Sequence, residues 1–344
     1  MIRLLCVCLL TAAVSLRAAE TPEPGQTYFG RNQYIEYIAG SLPFVLSAAH
    51  GGRDKPAELP DRAKGTFAFD TNTQELARAI DDEFVARTGQ HPHVVICRVT
   101  RRKIDCNREI VEGAAGHPLT EQTWKDFQGF IRTAQKAVVA KHGKGFYIDL
   151  HGHGHADARL ELGYAHDRQE LGLPDAELAK PEFIKKGTLQ FFALKNPSAY
   201  PALLHGPQSF GALMENAGFP STPSLGKPVP GEPYFNGGYN VRTHTAPGTG
   251  FAGLQIESHS KGVRDTDASR ALWPRAWELR TNSWPPVMPK STSMIARCAC
   301  VSRSSGLKIT STGVFHSRSW SMPLSVSPSC SSGTPRKRLS TKSR

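Results

Sequence analysis

The sequence predicts an α/β protein: a three-layer α/β/α arrangement around a mixed, largely parallel central sheet. Three observations predict it. Short apolar runs rich in β-formers recur at residues 42–49 (LPFVLSAA), 94–99 (VVICRV), 145–150 (GFYIDL) and 253–256 (GLQI). Each suits a strand buried on both faces. Segments of helical period, 73–87 and 120–141, alternate with these runs, and that alternation is the pattern of helices laid on a parallel sheet. His50, His151 and Glu257 each follow an apolar run directly. Ligands of such sheets bind beyond the carboxyl ends of the strands.

Residues 1–19 read as a secretory signal. Arg3 supplies the charged start, 4–16 is an apolar run too short for a comfortable membrane span, and Ala18-Ala19 offers small residues for cleavage. The alternative is an uncleaved anchor. The signal implies a secreted or periplasmic protein with no membrane attachment after its removal. Residues 20–39 form a leader, and its polar, Pro/Gly-containing part up to residue 32 is expected to be mobile. The folded domain spans 40–284. Asp70, Thr71 or Asn72 is placed to cap the first helix. Asp265 or Thr266 would cap a further helix running through Trp273 and Trp277. Residues 164–235, rich in Pro, Gly and Leu with weak periodicity, read as a long insertion that shapes a pocket.

The net charge of +12 does not mark a nucleic-acid binder. Ten of the 42 basic residues lie in 285–344, where there is no Asp or Glu, leaving 32 basic against 30 acidic residues in the rest. Sixteen of those sixty tail residues are serine. So abrupt a change reads as a disordered or frameshifted tail. Of seven cysteines, only Cys97 and Cys106 lie outside the signal and the tail. They pair or remain as two buried thiols, and no cysteine-type zinc site is spelled out.

Four segments carry chemistry. His50-Gly51-Gly52 puts an imidazole at a sharp turn, where glycine permits close approach of a ligand or metal. His151-Gly152-His153-Gly154-His155 puts three imidazoles on one side of an extended segment, with Asp149 or Asp157 to orient them. Glu257 could activate a water as general base. Arg101-Arg102-Lys103-Ile104-Asp105-Cys106-Asn107-Arg108 is a cationic stretch suited to carboxylate recognition.

Taken in order, His50-Gly51-Gly52, Asp70 with Glu75-Leu76-Ala77, Ile104-Asp105-Cys106-Asn107-Arg108, Asp149-Leu150-His151-Gly152 and Ile256-Glu257 resemble the N-formylglutamate amidohydrolase family, itself related to the zinc carboxypeptidases. The resemblance covers about 40–284. It implies a zinc-carboxypeptidase-like fold, and one Zn2+ held by two histidines and a carboxylate. His50 and His151 match the histidines. The carboxylate is assigned to Asp70, with Asp54 and Glu58 as alternatives, because Arg53 stands where carboxypeptidases place a glutamate. Arg101 would polarise the scissile carbonyl, Asn107 and Arg108 would grip a substrate carboxylate, and Glu257 would be the base. Cys106 departs from the family's usual aliphatic residue.

The expected activity is hydrolysis of an amide or peptide bond in a small N-acyl amino acid or peptide. Export fits formylglutamate itself poorly. Two rival readings are an N-acetylmuramoyl-L-alanine amidase acting on peptidoglycan and a non-catalytic periplasmic metal-binding protein.

Overall fold

The computed structural model describes residues 21–281; the expected signal and tail lie outside the described residues. The strands are β1 (Thr27–Phe29), β2 (Ile35–Ile38), β3 (Phe44–Ala48), β4 (His93–Cys97), β5 (Gly145–His153), β6 (Leu160–Gly163), β7 (Ser221–Thr222) and β8 (Phe251–His259). They form one sheet in the order β1-β2-β4-β3-β5-β8-β6-β7. The central strands β4, β3, β5 and β8 are parallel, while β2 and β6 flank them antiparallel. Helices cover both faces, completing the three-layer α/β/α fold.

Strand alternation assigns the two faces. Val94, Leu46, Ile148 and Leu254 form one cross-strand row. They pack against Leu76, Ala77 and Ile80 of helix Thr73–Thr88 and Trp273 of helix Asp267–Thr281. On the opposite face, Val45 and Tyr147 meet Phe127, Ile131, Ala134 and Val138 of helix Pro118–His142. Each fully buried Leu, Ile or Phe contributes about 1.5–3 kcal/mol relative to exposure. Pro118 opens that helix, and Gly143 closes it at φ +74°, a conformation a side chain would strain.

Several expectations change. Residues 27–38, placed in a leader, pair into the sheet: β2 joins β4 through Ile35↔Cys97 to Ile38↔Val94, and β1 joins β2. The run is short and interrupted by turn residues, so its apolar alternation is weak, yet Ile35 and Tyr37 are fully buried. Helix Thr73–Thr88 starts without a side-chain cap. Asn72 instead accepts from Arg53 and donates to Arg264 O, and Asp70 turns toward His151. Thr266 does cap its helix, accepting from Ser269 N at 3.1 Å.

The 164–235 insertion is a cover of short helices between Arg168 and Asn216. Its Leu171, Leu178, Phe192, Leu204, Phe210 and Met214 enter the core beside Trp273. Helices of four to seven residues are too short to display a 3.6-residue period. Cys97 and Cys106 are buried free thiols. No helix among the described residues is long and apolar enough to cross a membrane.

Two buried histidines make the fold acid-sensitive. Burial lowers His244 to about 4, against partial relief from Asp149. Burial, with His142 and Lys141 alongside, lowers His93 to about 4 as well. The unfolded chain takes these protons near pH 6.5 and the folded chain resists them. Their contribution is therefore full above about pH 6.5 and is lost as pH falls toward 4. Urea midpoints are expected to drop between pH 7 and pH 5. His244→Gln should flatten the slope by up to one proton's worth, roughly 1.4 kcal/mol per pH unit. An unchanged slope in that variant refutes the assignment.

Candidate metal centre

The ionisable residues of β5 and β8 share the face that carries Tyr147. Beyond it along β5 come Asp149, His151 and His153; on β8, Gln255, Glu257 and His259 sit opposite them. His151 and Glu257 are thus cross-strand neighbours inside the sheet rather than residues following it. The parallel ladder continues past the apolar runs to His153 and His259. Glu161 of β6 pairs across from Glu257 on its other side. His50 lies two residues beyond β3.

Gly51 and Gly52 are needed for backbone packing. A Cβ on Gly52 would lie 2.2 Å from Val99 O, and one on Gly51 would lie 2.4 Å from Thr73 Oγ1. Their close approach is to β4's continuation and the first helix, not to a ligand. This approach sets His50 against the loop carrying Asp70, whose backbone N donates to His50 O at 3.0 Å.

His50, Asp70 and His151 converge. Nδ1 of His50 and Nδ1 of His151 are 3.1 Å apart, and Asp70 Oδ2 lies 3.6 Å from the first and 3.0 Å from the second. All three residues are buried. Behind the rings, Asp105 Oδ1 takes His50 Nε2 at 2.6 Å, and Asp149 Oδ2 takes His151 Nε2 at 2.9 Å. Each carboxylate holds its ring's proton on Nε2 and leaves an Nδ1 lone pair facing inward. Carboxylate–histidine pairs of this kind orient metal ligands. Two lone pairs and an anionic oxygen at hydrogen-bond distance, out of water, form a donor set that fits a divalent cation.

The electrostatics point the same way. Burial opposes ionisation of Asp70, but His151 and His50 outweigh it and hold that carboxyl far below the usual range. Burial also opposes a charged His151, yet Asp149 and Asp70 raise it well above the ordinary imidazole value. With no cation in place the centre keeps a proton there, so a metal competes with that proton. Asp105 stays ionised against burial through His50 and Arg101, and Asp149 through His151 and Ser47. Burial pushes Glu257 up to about 8, with Asp70 and Glu161 adding to the rise and His151 opposing it.

The remaining expected residues divide. Arg101 Nε donates to Asp105 Oδ2 at 2.9 Å, and its Nη1 donates to Ala68 O. Asn107 Oδ1 accepts from Asn240 N, and its Nδ2 lies 3.2 Å from His151 Nε2 as a contact only, since Asp149 holds that nitrogen's proton. Arg108, partly exposed, pairs with Glu112. Asp54 and Glu58 are not brought to the histidines: Asp54 faces Arg98, and Glu58 accepts from Tyr34. Asp149, not Asp157, orients His151; Asp157 is 64% exposed and pairs with Arg159.

Of the His-rich stretch, only His151 joins the centre. His153, His155 and Glu161 form a second cluster, but it is closed by hydrogen bonds. His153 donates Nε2–H to Arg159 O and accepts His155 N–H on Nδ1. Glu161 already takes His155, Arg159 and Phe235 N. A metal taking His153 would have to displace one of its two bonds, and one taking Glu161 would compete with Arg159 for the carboxylate.

Sequence reasoning missed two supports. Arg264 is buried and links the ends of β5 and β8 to the Asp70 loop by donating to His153 O, Ser258 O and Thr71 O. Gly152 makes room for it: a Cβ there would lie 2.5 Å from the guanidinium. Gln255 accepts from Gly238 N and donates to Glu257 Oε1 at 3.0 Å. Gly238 precedes helix Tyr239–His244, whose Asn240 N donates to Asn107 Oδ1. For Gln255 the signal was available, since alternation from Glu257 places it on the same face. Nothing in the sequence around Arg264 marks it.

No protein-family model matches the chain, and no curated protein matches it by sequence. In structure it is similar to N-formylglutamate amidohydrolase from Ralstonia eutropha JMP134, with 14% identity and a TM-score of 0.41, over 80% of this chain and 99% of that one. It is also similar to a gene product of Agrobacterium tumefaciens, with 15% identity and a TM-score of 0.40, over 76% and 96% respectively. At that level of overlap neither similarity carries a residue's role across.

Metal titration separates the two clusters. His50→Ala, His151→Ala and Asp70→Ala should each abolish stoichiometric binding of a divalent metal, whereas His153→Ala and His155→Ala should leave it intact. Asp105→Asn and Asp149→Asn should weaken affinity roughly 10–100-fold. Retention of metal by the His151 variant, or its loss from the His155 variant, refutes the assignment.

Proposed function

We propose that the chain is a zinc-dependent amidohydrolase acting on an amide or peptide bond in a carboxylate-bearing substrate. The observation that carries the reading is the convergence of His50 Nδ1, His151 Nδ1 and Asp70 Oδ2, with Glu257 on the strand beside His151. Two imidazoles and one carboxylate suit Zn2+ among the common divalent ions. The ordered motifs that resemble those of N-formylglutamate amidohydrolases agree with it. When bound, the ion would supply Lewis-acid polarisation of a carbonyl and acidify a water.

The chain's own residues do the rest. Glu257 takes a proton from the attacking water and returns it to the leaving amine. Burial raises this carboxyl toward neutral pH, where a group can both accept and release a proton. Gln255 fixes one of its oxygens by hydrogen bond, leaving the other to handle the proton. Arg101, held by Asp105, would lend positive charge to the developing oxyanion. Arg108, partly exposed and next in sequence to Asn107, would take the substrate carboxylate. Asn107, held by the Asn240 N–H on its Oδ1, would pack against the edge of the His151 ring.

Glu257→Gln should retain one zinc per chain and lose about 10²–10⁴-fold in kcat on N-acyl amino acids or small peptides. Arg108→Ala should raise KM chiefly for substrates with a free carboxylate. Wild-type protein that binds zinc but hydrolyses neither these substrates nor peptidoglycan points to a metal-binding protein. Turnover of peptidoglycan alone points to the muramoyl-alanine amidase reading. Wild-type chain that is folded but zinc-free after reconstitution refutes the proposal.

A further inference from the structure

A cavity of about 650 Å³ opens at the opposite end of β3 from His50. It lies where Pro22 and Pro24, the β2–β3 connection, the start of β4 and the last turns of helix Pro118–His142 meet. Its volume is that of a small-molecule site. The walls divide by chemistry. Ala137, Val138 and Ala140 with the two prolines supply apolar surface, whereas Lys136 and Lys141 supply positive charge. Among the described residues, no Asp or Glu lines it.

One buried side chain gives the cavity a directed donor. His93 is 2% exposed and lines the cavity. Its Nδ1 accepts from Gly40 N at 3.0 Å and meets Tyr37 OH at 2.8 Å. A backbone N–H can only donate, so Nδ1 carries the lone pair and Nε2 carries the proton. Among the described residues, Nε2 has no hydrogen-bond partner. Burial keeps the ring neutral, so the site holds an N–H donor without a second buried charge. Lys141 and His142 both donate to Ser41 O, at 3.1 and 2.9 Å, which ties them to the rim. Lys136, one turn earlier, forms no ion pair among the described residues.

We propose that this cavity binds a small organic carboxylate with an aliphatic body. The carboxylate takes the His93 Nε2–H and the Lys136 ammonium, and the chain lies on Ala137, Val138 and the prolines. An inorganic anion would leave the apolar wall wet, and a neutral alkyl ligand would leave the donor and the lysine unpaired. The site is independent of the metal centre and of the hydrolase reading.

Calorimetric titration of the full chain with octanoate at neutral pH tests it. Saturable binding of one octanoate per chain is expected, with Kd below roughly 1 mM, or about 4 kcal/mol. Octanamide and inorganic phosphate each lack one half of the ligand and should bind at least about tenfold more weakly. Lys136→Gln, at an exposed helical position, should weaken octanoate by about fivefold to tenfold. In the wild-type chain the Nε2 resonance of His93 should shift on titration, a readout that needs no variant to fold. An absence of saturable binding, or octanamide or phosphate binding as tightly as octanoate, overturns the proposal. So does a His93 resonance that stays in place at saturation. Binding that survives Lys136→Gln but is lost in His50→Ala locates octanoate at the metal centre and overturns it equally.

Discussion

Two imidazole nitrogens face each other across 3.1 Å, with a carboxylate oxygen beside them, and the surrounding structure is arranged to keep them there. Without a proton or a cation between them, such a contact is repulsive. It is enforced from behind by Asp105 and Asp149, which hold each ring's proton on the far nitrogen. Those carboxylates are themselves fixed. Asp105 is paired with Arg101 and lies 3.8 Å from Arg62. Asp149 accepts from Ser47 at 2.6 Å. A buried charge without compensation costs several kcal/mol, so this excess of acid over base is tolerable only with a proton or a cation at its centre.

The same strands that build the core build the centre, because alternation separates the tasks. Ile148, Leu150, Leu254 and Ile256 point into one hydrophobic layer, and Asp149, His151, Gln255 and Glu257 point to the other side. The apolar positions give the strand its burial, and the polar positions inherit its rigidity. A site on strands is held more tightly than one on loops. The parallel pairing of β5 with β8 over nine residues makes the His151–Glu257 relation a property of the sheet.

This division explains what was legible in the sequence. The four central strands were readable because continuous apolar runs need no partner to be recognised. Their ends were not. DLHGH and IESH look polar, and only the neighbouring strand's ladder shows that they remain extended. β1 and β2 escaped notice for a related reason: a three- or four-residue strand carries too little alternation, and the sheet edge supplies its stability. His50, Asp70 and His151 were nameable from motif order. Glu58 and Asp54, equally acidic, are excluded only by the backbone path, which carries them toward Tyr34 and Arg98. The histidine-rich stretch misled in the opposite sense. Alternation does place His153 beside His151, but Arg159 O and the His155 amide claim both of its nitrogens.

Arg264 shows why the supporting residues are the hardest to read. Its guanidinium lies on Gly152 and joins three carbonyls from β5, β8 and the Asp70 loop. Planar, five-donor geometry suits that task, and a lysine could not span it. Its charge also faces Asp70 and Glu257, which offset part of its desolvation. The residue therefore couples two requirements: it closes orphan carbonyls at the strand ends, and it adds positive charge where carboxylates crowd. Removing it would expose both at once, so the loop carrying Asp70 and the strand carrying His151 depend on one side chain more than a hundred residues distant from either. Such long-range dependence leaves no local pattern, because the physical need is created only when the sheet has assembled.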